Sequence, residues 1–215
     1  MLKNFFSFDS KFFQIMFRIF QWMILNVLFL IFCVPVFTIG ASSAGMINAG
    51  RVLQDPEDDS YAFKAFLRGF TNGFWKITII WTSFSILIGG LLYILATVIY
   101  LDAILENGPI ISACIGLALS ILLQSMTIAF HSRFECTVWQ IIRSAFFMVL
   151  MHPLRAIGLG LLIWAPGLFA LGNLYLFFQL TPVWLLVYYG AAFECCARLI
   201  KTPFKKIEDQ FLANK

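Results

Sequence analysis

Long apolar runs alternate with short charged segments along this chain. A helix that crosses a bilayer needs about 20 mostly apolar residues, at about 1.5 Å of rise each. The first run follows Arg18 and carries no charge as far as Gly50. Its apolar part ends near Pro35 to Ile39, where a proline and then small residues interrupt it. The second runs from Ile77 to Leu101, and the third lies between Glu106 and His131, with Pro109 suited to a helix start. The last uncharged run, Ala156 to Phe193, would extend about 57 Å as one helix against a hydrocarbon core of about 30 Å, so it must fold back. Gln179 to Pro182 is one candidate turn and Pro166 to Asn173 another. The second would carry His152 and Arg155 deep into the membrane, at a cost of at least about 2.5–3.5 kcal/mol for the arginine. The first is preferred, with Pro166-Gly167 as a kink inside span four. The pattern predicts an all-α fold: a polytopic transmembrane helical bundle of about five spans, near 18–39, 77–101, 109–130, 156–178 and 182–199, forming one integral membrane domain over 1–215.

Between the spans the period changes. Asp55-Pro56-Glu57-Asp58-Asp59 reads as an acidic turn, and Ser60 as a cap for a helix that follows it. In that helix Phe63, Phe66, Leu67, Phe70 and Phe74 share one face, and Lys64 and Arg68 lie on the other. That is the pattern of an amphipathic helix lying in the membrane interface. Trp139, Ile142, Phe146 and Val149 form a similar stripe over 137–151, and Phe204, Ile207 and Phe211 suggest a short third helix in the tail. The acidic turn lacks the spacing and terminal glutamate of an EF-hand.

Composition sharpens the membrane reading. Charged residues make up 12% of the chain and hydrophobic ones 61%, against about 25% and 45–50% in soluble domains, so lipid must solvate much of the surface. The charge asymmetry predicts orientation. Twelve Lys and Arg fall in the loop after span one, the loop after span three and the tail; only Lys3, Lys11 and Arg18 precede span one. The positive-inside rule then gives an outside N-terminus and a cytoplasmic C-terminus. The three N-terminal cations pull the other way. A re-entrant first segment, or a sixth crossing within Ala41–Leu53 or Thr137–Met151, is the alternative. Signal cleavage near Ala41 would leave the basic loops outside and is not favoured.

Candidate chemistry is sparse. Ser112, Gly116, Ser120 and Gln124 recur every four residues in span three, with Thr127 and His131 continuing the stripe. Small and polar residues at that spacing serve close helix packing; the alternative is a lining for a substrate path. Trp81, Ser85 and Gly89 repeat the theme weakly in span two. Glu194 is the acidic residue of the membrane runs; it can pair with Arg198 or serve ion coupling. The odd number of cysteines, without a C-x-x-C, argues against a disulfide framework or zinc site. His131 and His152 lie in no ligand spacing. No cofactor, metal, catalytic constellation or nucleic-acid partner is expected, so the chain does not read as an enzyme. Its expected partner is the lipid bilayer.

One segment carries a resemblance. Pro35-Val36-Phe37-Thr38-Ile39-Gly40-Ala41-Ser42-Ser43-Ala44, with Phe63-Lys64-Ala65-Phe66, Phe70-Thr71-Asn72-Gly73-Phe74, Arg133-Phe134 and His152-Pro153 downstream, resembles the YesL-like family of bacterial multi-pass membrane proteins, a domain of unknown function. Family members often carry a second proline where this chain has Ala41. The motif residues are Pro35, Thr38, Ile39, Gly40 and Ala44. The resemblance implies a small protein of the bacterial plasma membrane, associated with carbohydrate uptake or use, and supplies no catalytic or binding residues. On the residues alone, Thr38–Ala44 is expected to pack at the cytoplasmic end of spans one and two. Two functions remain open: an accessory or regulatory component acting with carbohydrate transport proteins, or a small solute transporter or channel that self-association of several copies could form.

Overall fold

The computed structural model describes residues 11–54, 61–100 and 107–213. The acidic turn at Asp55–Asp59, the Ser60 cap and the Asp102/Glu106 loop lie outside them. The described chain is helical: α1 (Lys11–Cys33), α2 (Ile39–Val52), α3 (Ala62–Thr71), α4 (Phe74–Tyr100), α5 (Asn107–His131), α6 (Val138–Met151), α7 (Pro153–Gly172), α8 (Leu174–Gln179), α9 (Thr181–Val183) and α10 (Tyr189–Ala213), with a 3-10 turn at Val36–Thr38 and a π turn at Trp184–Tyr188. Five of these stretches are long and apolar enough to cross a membrane: Gln14–Cys33, Phe74–Val98, Ile110–His131, Pro153–Ala170 and Thr181–Lys205.

The first hairpin reorders the topology. Arg18, near the start of α1, donates to the Leu53 carbonyl just past the end of α2 and lies 3.9 Å from Glu194. The start of α1, the end of α2 and the Arg198 region of α10 therefore share one end of the bundle. Gly73, just before α4, touches His131 at the end of α5, and Lys76 reaches the Cys136 carbonyl at 3.4 Å. Gly158 in α7 meets Leu199, and Tyr188 Oη donates to the Leu162 carbonyl at 2.9 Å, so α7 and α10 are antiparallel. Every leg thus starts or ends at the same basic end, and α2 is an extra return leg. Arg18 and Arg198 lie together at that end, both beside Glu194.

α2 corresponds to the Ala41–Leu53 alternative, and it lacks an apolar run because its neighbours cover it. Twelve of its 14 residues are buried, and most are small or polar. A helix shielded from lipid by protein needs close fit more than apolarity. A Cβ on Gly69 of α3 would stand 3.0 Å from the Gly45 Cα, and one on Gly45 would stand 2.8 Å from the Phe66 carbonyl oxygen. The α2–α3 crossing therefore brings backbone against backbone. Asn48 Nδ2 donates across it to the Ala65 carbonyl at 2.8 Å. With 14 residues, α2 extends about 21 Å, less than the about 30 Å of a hydrocarbon core.

Several boundaries also shift. Span four ends at Gly172 rather than 178, where Asn173 turns extended and Leu174–Gln179 forms a separate helix. Pro166 does sit inside α7. The tail is no third helix: α10 runs on through Pro203, and Phe204 is buried against the rings of Phe130 and Phe134. α6 begins after α5 ends and stops where α7 begins, so both its ends lie at the basic end. Its packed face is Ile141, Ala145, Met148 and Val149; of the expected stripe Val149 is buried, while Trp139 and Phe146 are exposed. α3 likewise buries Ala65, Phe66 and Gly69 against protein and leaves Phe63 outward.

Candidate functional site

The Thr38–Ala44 segment forms the tip of the α1–α2 hairpin. Thr38 Oγ1 bonds the Pro35 carbonyl at 2.6 Å and also the Phe32 carbonyl. Both carbonyls lie where the α-helical ladder has broken, and unbonded backbone in lipid is costly. Gly40 then lets α2 start flat against α4, since a Cβ there would fall 2.5 Å from the Trp81 Cβ. Ala44 is fully buried and Ile39 half-buried. The segment was expected at the cytoplasmic end of spans one and two. It lies at the far end of α1 from Arg18 and against Trp81 in the first part of α4, and α2 runs back from it to the basic end.

The span-three stripe divides along its length. Ser112 is exposed, and Gly116 is half-buried beside Leu91 of α4. Ser120 is buried, its hydroxyl donating to the Gly116 carbonyl at 2.7 Å. Gln124 is 1% exposed, and its Nε2 reaches Ser85 Oγ at 3.3 Å and the Trp81 carbonyl at 3.4 Å. The polar positions of spans two and three therefore meet each other across the α4–α5 seam.

Glu194 sits in a closed cluster. It is 2% exposed; Arg198 donates to Oε1 at 2.7 Å and the Trp22 indole to Oε2 at 2.7 Å. Arg18 flanks it from α1, and Gln54 Nε2 donates to its backbone carbonyl at 2.8 Å. A buried carboxylate needs such partners. Sequence spacing predicted the Arg198 pair. Trp22, Arg18 and Gln54 come from two other segments, and only the hairpin brings them there.

Two recesses stand out. One, of about 310 Å³, lies at mid-bundle between α1, α2, α4, α5, α7 and α10, walled by side chains such as Phe29, Trp81, Ile128, Ile163 and Phe193. Gln124 borders it, and its Oε1 has no protein partner. The other, of about 360 Å³, opens at the basic end among Arg51, Lys64, Arg68, Asn72, His131, Arg133 and Glu135. A smaller pocket of about 110 Å³ shares Arg51 and Arg133 with it and adds Gln54 and Lys201. His131 Nε2 pairs with the Asn72 carbonyl at 3.0 Å, and Asn72 Nδ2 donates to Glu135 Oε1 at 3.0 Å. Gly73 follows with φ +63°, a left-handed turn that brings the chain against the imidazole and that a side chain would strain. In the sequence these cations mark topology alone. Their spacing, across three chain segments, holds no local signal of convergence.

The architecture defines a helical membrane protein built around a buried return helix. The family described as Protein of unknown function, DUF624, matches residues 22–95, about a third of the chain. That match begins at Trp22 and takes in the hairpin tip, α2, α3 and most of α4. No curated protein and no solved structure matches the chain.

Proposed function

We propose that this protein is an accessory or regulatory component of a bacterial plasma membrane, acting with carbohydrate uptake or use, with its basic end in the cytoplasm. The observation that carries the reading is where the membrane-depth polar groups go. Gln124 bonds Ser85 and Trp81 across the α4–α5 seam, and Glu194 is held by Arg198 and Trp22. Side chains committed to internal contacts support a scaffold that works through its surfaces. Orientation follows from the cations of α1, α2, α3, α5–α7 and α10 gathering at one end. The carbohydrate association rests on the likeness of Pro35–Ala44 to the YesL-like family. Purification in mild detergent from native membranes tests it: a carbohydrate permease subunit should co-purify in fixed ratio, and isolation of this chain alone would count against it.

The mid-bundle recess favours a second reading, a small solute transporter, because Gln124 Oε1 faces no protein donor there. Saturable flux through proteoliposomes of the protein alone, lost in Gln124→Leu, would favour transport over the accessory role.

A further inference from the structure

We propose that the mid-bundle recess seats one hydrocarbon chain of a membrane lipid. The hollow, of about 310 Å³, lies beside the proline of α7. Pro166 has no N–H, so the Leu162 carbonyl one turn back loses its helical partner. Tyr188 Oη of α10 donates to that carbonyl at 2.9 Å, and the broken ladder is satisfied within the protein. Gly167 follows and has no side chain to close the gap. Leu30 and Cys33 of α1 line one wall of the recess, and Ile163 and Trp164 of α7 another.

The recess is continuous with the lipid-facing surface. Gly167 lines it and is exposed, as are Leu168 and Phe169 beside it on α7 and Ile31 beside Leu30 on α1. All four lie within stretches long and apolar enough to cross a membrane, so bilayer chains reach the opening without passing polar ground. Deeper in, Phe29, Ile128 and Phe193 are buried and apolar. Water gains little there, since apolar cavities stay dry. Left empty, the hollow costs its lining atoms their dispersion contacts, and a flexible chain of methylenes restores them. A polar solute is served less well. Ser43 Oγ donates to the Ile39 carbonyl at 2.8 Å, and Gln124 Nε2 is turned to Ser85 and Trp81, so both donors are committed inside the protein. An acyl chain and a prenyl chain offer the same chemistry to such a site.

The test uses the full chain, purified from native membranes in mild detergent and read by native mass spectrometry. One lipid per chain should stay bound, and its mass distinguishes an acyl from a prenyl lipid. Gly167→Leu fills the hollow from α7, where a Cβ meets only the Trp164 ring, at 3.7 Å, and should cut retention about tenfold or more. Leu30→Trp narrows it from α1 and should act the same way. Gly172→Leu is the control: nothing lies within 4 Å of a Cβ there, and the lipid should stay. A second measurement melts lipid-stripped protein with added phosphatidylglycerol or, in a separate arm, a polyprenyl phosphate. One of the two should raise the Tm of the unchanged chain and leave that of Gly167→Leu where it was. No lipid on the unchanged chain, or equal retention by both filling variants, would overturn the proposal. So would lipid-free dimers, which would put a second copy in the recess. Those outcomes leave the accessory role standing, because co-purification reads a protein partner and these spectra read a bound lipid.

Discussion

α2 and α4 are neighbours with opposite surroundings. In the membrane-length window of α4, 11% of residues are buried; in α2, 12 of 14 are. The residues follow that division. α4 is Ile, Leu, Phe and Trp around most of its circumference, as lipid demands, while nine of the 14 residues of α2 are Gly, Ala, Ser or Asn. Hydropathy detects a helix by what it shows to lipid. A helix that shows lipid almost nothing is selected for closeness instead, and its sequence looks like a polar linker. α2, with nearly every residue buried, is thus the hardest helix of this bundle to see.

That contrast can be broken by size. Gly45→Leu should be the most damaging change, because the new side chain meets the Phe66 carbonyl of α3. Overpacking costs about 1–3 kcal/mol where side chains can yield, and backbone yields less, so a loss of about 3 kcal/mol or more is expected in denaturant unfolding in detergent. Glu194→Ala comes next. It strips the partner from the Trp22 indole and from two arginines, but Arg198 is 63% exposed and Arg18 33%, so solvent screens much of the loss. About 2 kcal/mol is expected, and Arg198→Ala should cost clearly less than Glu194→Ala. Thr38→Val keeps the shape and deletes the two bonds at the hairpin tip, for about 1 kcal/mol in the same assay. Gly89→Leu in α4 is the counterpart of the first change. A Cβ there meets nothing within 4 Å, so stability should stay within about 0.5 kcal/mol. Equal damage from Gly45→Leu and Gly89→Leu would erase the distinction between inner and outer helices.

Much of this was legible. The five apolar runs are helices, and the fold-back within Ala156–Phe193 is real, because length alone forbids a single crossing. Its position was read less well: Gly172-Asn173 stops α7 where glycine and asparagine commonly end helices, six residues before the boundary taken from apolarity. Thr38–Ala44 stood out as a junction beside spans one and two, and Gly40 does meet Trp81 of α4. The partners of Glu194 and the convergence of Arg51, Lys64, Arg68 and Arg133 stayed hidden. Each requires segments far apart in sequence to meet at one end, and the return helix is what brings them there. Arg18, which pulled against the charge count over five spans, shares the basic end with Arg198.

The central claim is that α2 returns the chain, so that the start of α1 and the end of the last long helix lie on one face. Cysteine labelling decides it. In a variant lacking the five native cysteines, Gln14→Cys, Gly108→Cys and Lys201→Cys are each exposed in the structure and report three places along the chain. Sealed vesicles treated with an impermeant maleimide should label positions 14 and 201 from the same side, and position 108 from the other. Labelling of 14 and 201 from opposite sides would contradict the return helix and restore an arrangement with an odd number of crossings.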